Sequence, residues 1–294
     1  MELFIVDAFT ATPFGGNTAG VALIEETQSF PSDNLMQQIA AELRYSETAF
    51  VQQLGAAEFK VRYFTPCGEV DLCGHATIAT FGMMYRMGFL AQGEQCLIHT
   101  LAGDLNVIAG KRVMMMMAKP QVIPATVDVE RLHSIMGATS VNTSFPVEIV
   151  STGLPDIIMP LDNVEQLYSL APNMDALAQL SKELGVTGVH AFAFGEDGYT
   201  AHVRNFGPLY GVPEESATGT ANAALTHYLH QHGIIASGDS NRFLQGETMA
   251  RPSVVESTID SNGTIWVGGE CAIVATGTLL TNHSLQGVGV DRNG

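Results

Sequence analysis

The chain has few cysteines, few basic residues and no long apolar run, and each shortage excludes a class of protein. Of its 294 residues, 4 are cysteine and 13 are lysine or arginine, against 30 aspartate and glutamate. Four cysteines without a Cys-x-x-Cys pair argue against a disulfide-stabilised fold or a zinc site, and a cytoplasmic location fits them best. No apolar run is long enough to span a bilayer, and no secretory leader pattern precedes the first strand pattern.

The shortage of basic residues leaves a net charge of −17. A surface this acidic repels phosphate backbones and anionic lipids, so we expect neither nucleic acid nor a membrane as a partner. An anionic small molecule would have to meet local positive potential, from helix N-termini or from the few arginines. The hydrophobic content of 46% is sufficient for two domains, each with its own core.

Two similar segments lie about half the chain apart. Residues 61–76 read VRYFTPCGEVDLCGHA, and residues 203–221 read VRNFGPLYGVPEESATGTA. In each segment, a strand pattern containing Val-Arg-x-Phe is followed by a Pro/Gly turn and an acidic residue. Gly-x-Ala then stands at the start of an apolar helix pattern. A repeat of this length is too long for a solenoid. It predicts two similar domains, each directing a helix N-terminus and its free N–H groups at a shared site.

We place the two domains at residues 1–121 and 122–294, because the stretch 119–124 carries two prolines and is interpreted as the linker. The last strand pattern, near 271–280, is a candidate to return to the first domain. The two helices are predicted from Gly74 to about 87 and from Gly219 to about 230. Both are apolar nearly all round, which is typical of helices enclosed by sheet.

Several motifs together resemble the phenazine-biosynthesis PhzF-like isomerase family. They are DAFT at 7–10 with GN at 16–17, SETAFV at 46–51, FTP at 64–66 with EVDLCGHAT at 69–77, ATGTA at 217–221, and QG at 245–246 with RPS at 251–253. The resemblance covers nearly the whole chain in order. It implies an α+β fold of two pseudo-symmetric domains, each a barrel-like, mostly antiparallel sheet around a central helix, as in diaminopimelate epimerase.

The resemblance also implies a function. Members of the family are isomerases that act without a cofactor and are commonly homodimers. We therefore expect a small carboxylated substrate, no cofactor and no metal. The family's best-known substrate is dihydro-hydroxyanthranilate.

By resemblance, Glu47 is the general acid/base that moves a proton between carbons, and His75 and Glu215 assist the proton path. Ser46 and Thr48 flank Glu47 and can orient its carboxylate. An imidazole at a helix N-terminus, like that of His75, tends to be neutral and able to give or take a proton. Without the resemblance, Glu47 also fits an exposed edge-strand glutamate, and His75 also fits a capping or core histidine.

Five residues are expected to bind substrate. At the two helix starts, Gly74 and Gly219 allow a ligand carboxylate to approach the backbone amides. Thr220 either offers a hydroxyl as the family serine does or only caps its helix. Asn17 and Ser46 complete the set.

The second-half motif departs from the family pattern Glu-Asp-Pro-Ala-Thr-Gly-Ser-Ala. Glu215, Ser216 and Thr220 stand where the family has aspartate, proline and serine. Glu214 is an alternative carrier of the second acidic role. Outside this motif, Thr18 replaces a common proline and Ala250 a common glycine.

Two other functions stay open. The related amino-acid epimerases and racemases use two thiols, one at each helix start. Here Cys73 precedes the first helix but no cysteine precedes the second, and a serine hydroxyl cannot replace a thiolate as base. Cys73 is therefore expected to be a small buried residue. The chain could instead be a binding protein that kept the site and lost the reaction.

Three histidines near the end of the second helix, His227, His230 and His232, are the remaining metal candidates. Cations favour a helix C-terminus, which explains these residues without a metal.

Overall fold

The computed structural model describes residues 1–140, 142–195 and 197–280. The first half of this part contains eight strands and two helices: β1 (Glu2–Ala8), β2 (Asn17–Ile24), α1 (Asp33–Leu43), β3 (Thr48–Gly55), β4 (Glu58–Phe64), β5 (Glu69–Val70), α2 (Gly74–Arg86), β6 (Gln95–Thr100), β7 (Gly103–Ile108) and β8 (Val113–Met116).

The second half adds ten strands and four helices: β9 (Gln121–Ile123), α3 (Val129–Met136), β10 (Glu148–Ser151), β11 (Pro155–Pro160), α4 (Val164–Ser169), α5 (Met174–Leu184), β12 (Gly188–Ala193), β13 (Ala201–Gly207), β14 (Val212–Glu215), α6 (Gly219–Gln231), β15 (Asn241–Gln245), β16 (Ser253–Ile259), β17 (Ile265–Gly269) and β18 (Cys271–Thr278). None of the described helices is both long and apolar enough to cross a membrane.

The strands of the two halves pair in the same order. In the first half β2 is parallel to β3, β3 antiparallel to β4, β4 parallel to β6, and β6–β7–β8 antiparallel. In the second half β11, β12, β13, β15, β16 and β17 repeat that sequence of directions. This common order establishes two pseudo-symmetric, mostly antiparallel sheets.

Two antiparallel pairings join the halves. Strand β8 pairs with β17, and β18, which follows the whole second half, pairs with β1 from Glu2↔Thr278 to Ala8↔Cys271. At this junction Gly82 of α2 is required for packing, because a Cβ there would lie 2.4 Å from the sulfur of Cys271. The chain therefore crosses between the halves more than once.

Each sheet curves around one helix. Helix α2 contacts β1, β2, β3, β8 and β18, and α6 contacts β10, β11, β12, β16 and β17. Every residue of α2 from His75 to Met84 is buried. Enclosure on all sides explains why both helix sequences are apolar nearly all round, as predicted.

The outer faces of the sheets are covered unequally. Helix α1 alone packs on β3 and β4, through Met36, Ile39 and Ala40 against Phe50 and Phe64. In the second half α3, α4 and α5 form a separate apolar layer over β10 to β13. Strand β12 is consequently buried at all six of its residues.

The hairpins before the two central helices carry matching ion pairs. Arg62 of β4 donates from Nε and Nη2 to the two carboxylate oxygens of Glu69 in β5, at 2.7 and 2.6 Å. Arg204 of β13 donates in the same way to Glu214 of β14, at 2.8 and 2.8 Å. These bidentate pairs fix the turn that leads into each helix.

The sequence missed the shortest elements. Helix α4 and the short strands β5 and β14 were not predicted, and the stretch 119–124, interpreted as a linker, contains β9, which pairs with β10. Segments of two to six residues carry too little periodicity to be identified, and long-range pairing decides their conformation. The division at 121/122 falls inside β9 and stays a proposal, and residues 281–294 of the second predicted domain lie outside the described residues.

Candidate active site

Glu47 lies immediately before β3, beside the start of α2. Its Oε2 is 3.4 Å from Nε2 of His75, and the side chains are 20% and 5% exposed. The hydroxyl of Ser46 is 3.2 Å from the same nitrogen. Glu47 Oε2 is buried and makes no hydrogen bond with the described residues. The carboxylate is thus held next to an imidazole with one oxygen free of other protein partners.

Cys73 is a further member of this group, which the sequence interpretation had assigned only a packing role. Its sulfur lies 3.3 Å from Nδ1 of His75. Burial, followed by the charge of Glu47, raises the pKa of the Cys73 thiol well above its usual range. The thiol is therefore protonated at neutral pH, which makes it a hydrogen-bond partner of His75 and a poor nucleophile.

Glu215 is the corresponding acid of the second half. Its carboxylate accepts hydrogen bonds from Nδ2 of Asn17 at 3.2 Å and from the hydroxyl of Thr218 at 2.7 Å. Burial raises the pKa of Glu215, the charge of His75 lowers it, and the charge of Glu47 raises it. The structure thus brings Glu47, His75 and Glu215, far apart in sequence, close enough for their charges to interact.

Glu214, the alternative acid, has a different environment. Both of its oxygens accept from Arg204, and Oε1 also accepts from Thr248 at 2.9 Å. Asn17, in contrast, donates to Glu215 and to the carbonyl of Ala217. Of the two neighbouring glutamates, Glu215 therefore lies in the site and Glu214 in the hairpin.

The two helix starts leave their first N–H groups without a side-chain cap. Cys73 and Thr218, the N-cap residues of α2 and α6, are extended and make no side-chain capping bond. A Cβ added at Gly74 would come no closer than 3.6 Å to any neighbour, and one at Gly219 no closer than 3.7 Å. Because internal packing does not demand glycine there, open access to the amides is the remaining physical reason for it.

Thr220 is placed one residue into α6. Its side chain is partly exposed, and its carbonyl accepts from the hydroxyl of Thr152 at 2.9 Å. Together with Asn17, Ser46, Gly74 and Gly219 it lies within the two loops and helix starts that hold the three acid–base residues. All eight predicted site residues therefore belong to one region.

A network around Arg251 connects the halves beneath this region, and the sequence interpretation gave it no role. Arg251 donates to Asp7 at 2.9 Å, to the carbonyl of Gly16 at 2.8 Å and to the hydroxyl of Thr18 at 2.8 Å. Ser216 donates to the same Gly16 carbonyl at 3.0 Å. The sequence signals for this network were the DAFT, GN and Arg-Pro-Ser motifs, which do not show that their residues contact one another.

Three departures from the family pattern acquire a structural meaning here. Thr18 donates to Asp7 at 2.6 Å, and Ser216 donates across the halves, so both hydroxyls make bonds that proline could not. Ala250 has a φ of 55°, in the left-handed region that favours glycine. The hydroxyls add contacts, whereas Ala250 adds local strain.

One group of described residues has the composition of a metal site. One ligand atom each from Glu47, Cys73 and His75 lies within 4.8 Å of the others. Metal ligation requires the thiolate, so a metal ion at this group would have to displace the thiol proton, whose pKa burial raises in the metal-free protein. At the end of α6, His232 instead contacts Glu148 at 3.1 Å, and His230 contacts Ser237 at 3.1 Å.

The chain is similar to known proteins over nearly its whole length. The profile of the phenazine biosynthesis-like protein family matches residues 6–277. An uncharacterized isomerase of Salmonella typhimurium, YddE, is 33% identical over 274 residues, which are 90% of each chain. A PhzF-family phenazine biosynthesis protein of Bacillus anthracis superposes with a TM-score of 0.84 at 27% identity, covering 96% of this chain and 99% of that one.

A more distant neighbour shows the fold alone. A probable proline racemase of Agrobacterium radiobacter superposes with a TM-score of 0.60 at 14% identity, covering 96% of this chain and 93% of that one. The predicted diaminopimelate-epimerase-like fold is thus confirmed. With the family profile matched over nearly its whole length, the chain belongs to the phenazine biosynthesis-like, or PhzF, family, several of whose curated members are named uncharacterized isomerases.

Proposed function

We propose that this protein is a cofactor-independent isomerase that moves a proton between two carbons of a small unsaturated carboxylate. The observation that carries the proposal is the contact of Glu47 with His75 at 3.4 Å, next to two uncapped helix starts. A free carboxylate oxygen beside an imidazole is a suitable general acid/base. The uncapped N–H groups supply the positive potential that an anionic substrate needs in so acidic a protein.

The proton held by a neighbouring thiol supports one tautomer of His75. Because the Cys73 thiol is protonated, it can donate to Nδ1. When the ring is neutral, its proton then lies on Nε2, which faces Glu47 and Ser46. In that form the N–H is directed toward Oε2 of Glu47, 3.4 Å away.

The proposed reaction has two proton transfers and no net redox change. Glu47 takes a proton from a carbon next to the unsaturated system, and the electron pair of that C–H bond delocalises toward the substrate carboxylate. The N–H groups at the starts of α2 and α6 stabilise the resulting negative charge. Glu47 then returns the proton at a second carbon, while Glu215, whose pKa burial raises, holds or shares a proton nearby.

The experiment that tests the proposal is proton NMR in deuterated water with dihydro-hydroxyanthranilate as the probe. We expect isomerisation with deuterium uptake by the wild-type protein, loss of both in Glu47→Gln, and full activity in Glu26→Gln, which alters an exposed turn. Undiminished turnover in Glu47→Gln would remove Glu47 from the mechanism.

The same spectra separate the alternative functions. Deuterium at a stereocentre with inversion and no shift of a double bond would identify an epimerase. That outcome is disfavoured because Cys73 is protonated and the second helix start offers Ser216 and Thr218 in place of a thiol. A carboxylate that raises the melting temperature without any exchange at its carbons would identify a binding protein.

The family resemblance extends the proposal to a homodimer, and the small number of cysteines to a cytoplasmic location. Sedimentation equilibrium of the purified chain tests whether it is a homodimer. A concentration-independent monomer mass would contradict it.

A further inference from the structure

Four polar side chains lie side by side on one face of the second sheet. Glu215 of β14 is opposite Asn205 of β13, and Asn205 is opposite His190 of β12. Asp156 of β11 is opposite Gly188, two residues from His190 along β12. Residues directly opposite, or two apart, share a sheet face. We call Asp156, His190, Asn205 and Glu215 the polar row.

The polar row extends from the active site into the protein interior. Asp156, His190 and Asn205 are 1%, 0% and 3% exposed, whereas Glu215 is only partly buried. Asn205 lies at the centre of the row: its Nδ2 is 3.3 Å from Nδ1 of His190, and Asp156 lies on the same sheet face beside His190, near enough for Asn205 to lower its pKa. A buried carboxyl is thereby linked to a residue of the site.

Thr218, at the start of α6, completes the link. Its hydroxyl lies 2.7 Å from Oε2 of Glu215 and 3.3 Å from Oδ1 of Asn205. A hydroxyl has one hydrogen to donate. When Glu215 is ionised, Thr218 donates to it. When Glu215 is protonated, the carboxyl can donate to Thr218, whose hydrogen is then available to Asn205. The orientation of this hydroxyl therefore depends on the charge of Glu215.

Two polar atoms at the interior end of the polar row lack hydrogen-bond partners among the described residues. Oδ1 of Asp156 and Nε2 of His190 are buried and make no hydrogen bond within the described ranges. A buried polar atom without a partner destabilises a fold, and an apolar pair would avoid that cost. Packing alone therefore gives no reason for a carboxyl and an imidazole at these positions.

The charges of the row are interdependent. Burial raises the pKa of Asp156 to about 7, Asn205 lowers it, and the charge of Glu215 raises it. Burial lowers the pKa of His190 to about 3, so that ring stays neutral. His190 and Glu215 are the titratable groups near Asp156, and His75 and Glu47 act in turn on Glu215. Two carboxyls that interact in this way titrate as a pair.

We propose that Asp156 is a positioning residue of the active site, which acts through Asn205 and Thr218 and determines when Glu215 holds its proton. The proposal rests on the proposed function only in giving Glu215 a part in the reaction. The coupling between the two carboxyls is a property of the free protein.

The test is a carbon-13 NMR titration of the side-chain carboxyls in the substrate-free protein, assigned with Glu215→Gln and Asp156→Asn. In the wild-type protein we expect the Glu215 and Asp156 signals each to show two steps. In Asp156→Asn we expect Glu215 to titrate in one step, with its midpoint lower by roughly 0.5–1 pH unit because a neighbouring negative charge is lost. Glu256→Gln, which alters a buried carboxyl elsewhere, should leave Glu215 unchanged.

Thr218→Val is a second variant that leaves Asp156 in place. We expect it to raise the Glu215 midpoint, because the carboxylate loses a donor, and to weaken the second step of Asp156. A Glu215 titration unchanged in folded Asp156→Asn, or an Asp156 curve in Thr218→Val identical to wild type, would overturn the proposal.

An activity measurement separates positioning from a purely structural role. If Asp156 positions Glu215, the pH profile of hydrogen exchange in Asp156→Asn moves with the Glu215 midpoint. An unmoved profile with only a raised KM would overturn the positioning role. Absence of any reaction in the wild-type protein would contradict the proposed function and leave the titration result standing.

Discussion

The two helix starts have the same backbone frame but different support for their polar side chains. At α2, Glu47, Cys73 and His75 contact one another directly, and all come from two short stretches of chain. At α6, Glu215 accepts from Asn17 and Thr218, and Thr218 connects it to Asn205 of the buried polar row. The first half thus presents a compact acid–base group, whereas the second presents a carboxyl connected to the interior.

The hairpins before the helices show a related contrast. Arg62 and Glu69 are 18% and 22% exposed, and Arg62 also contacts the exposed Asp33. Arg204 and Glu214 are 8% and 16% exposed, and Arg204 also donates to the carbonyls of Leu167 and Leu170. The extra layer of helices over the second sheet buries the pair that in the first half stays near solvent. We therefore expect the same Arg–Glu ion pair to contribute differently to stability according to what covers it.

The sharpest test of the comparison is to neutralise the acid of each half in turn. We expect Glu47→Gln to lower the rate of hydrogen exchange about 1,000-fold and Glu215→Gln roughly 10- to 100-fold, because only the first is proposed to touch the migrating proton. Glu214→Gln, the matched neighbour, should lower stability and retain exchange. Equal losses in the first two variants would mean that the halves have equivalent roles.

The next largest effect concerns the two arginines. Replacing Arg204 by methionine leaves Glu214 and two carbonyls without their donor, and we expect a loss of about 3–5 kcal/mol in the free energy of unfolding. Arg62→Met, in the more exposed pair, should cost about 1 kcal/mol. Urea unfolding of both variants measures the difference. Equal costs would show that the covering helices do not change the strength of the motif.

The pH dependence of stability distinguishes the interior of the second half. Since the pKa of Asp156 is raised from 3.8 to about 7 in the folded protein, the native state binds the extra proton between these values, and stability falls as pH rises through this window. The free energy of unfolding of Asp156→Asn, relative to that of the wild type, should rise by on the order of 3–4 kcal/mol between pH 4 and pH 8.

His190 has the opposite sign, because its pKa is lowered to about 3 and stability is lost as pH falls below its ordinary value of 6.5. The two slopes oppose each other between pH 4 and 6.5. Urea unfolding of Asp156→Asn and His190→Asn across the range separates them. A difference between wild type and Asp156→Asn that does not change with pH would show that Asp156 is not protonated in the fold.

The smallest expected effect compares one strained residue from each half. Arg44, at the end of α1, has a φ of 59°, and Ala250, before the Arg251 network, has a φ of 55°. Glycine relieves this strain but adds freedom to the unfolded chain, so each change should stabilise the protein by about 0.5–1 kcal/mol. Thermal unfolding measures this change in stability. A loss of stability in Ala250→Gly but not in Arg44→Gly would mean that the methyl group of Ala250 supports the Arg251 network.

Glu47 and His75 of the first half were identified through family motifs, and neither the contact between them nor that with Cys73 was predicted. Glu47 follows Ser46 within one motif, and His75 opens an apolar helix pattern two residues after Cys73. The partners of Glu215 could not be found in this way, since Asn17, Asp156 and Asn205 belong to different strands. Local pattern gives the residue type and the element, but pairing across a sheet depends on register between distant segments.

The role of Cys73 shows a second limit. The sequence correctly indicated a buried small residue, and the missing cysteine at the second helix start argued against a two-thiol racemase. Its contact with His75 followed only from the structure, because the side chain of an N-cap residue can point to the helix or away from it. The different environments of Glu214 and Glu215 likewise follow only from the structure, in which Arg204 donates to Glu214.

The sequence by itself determined the repeated strand–turn–helix pattern, the two buried helices and the membership of the family, because hydrophobic periodicity and contiguous motifs are local properties. Only the tertiary structure decided that the candidate returning strand β18 pairs with β1, that Arg251 joins the two halves, and that a buried aspartate shares a sheet face with Glu215. These contacts join residues as much as 276 positions apart, as between Glu2 and Thr278. Their formation depends on the closure of two sheets around two helices, which no local segment encodes.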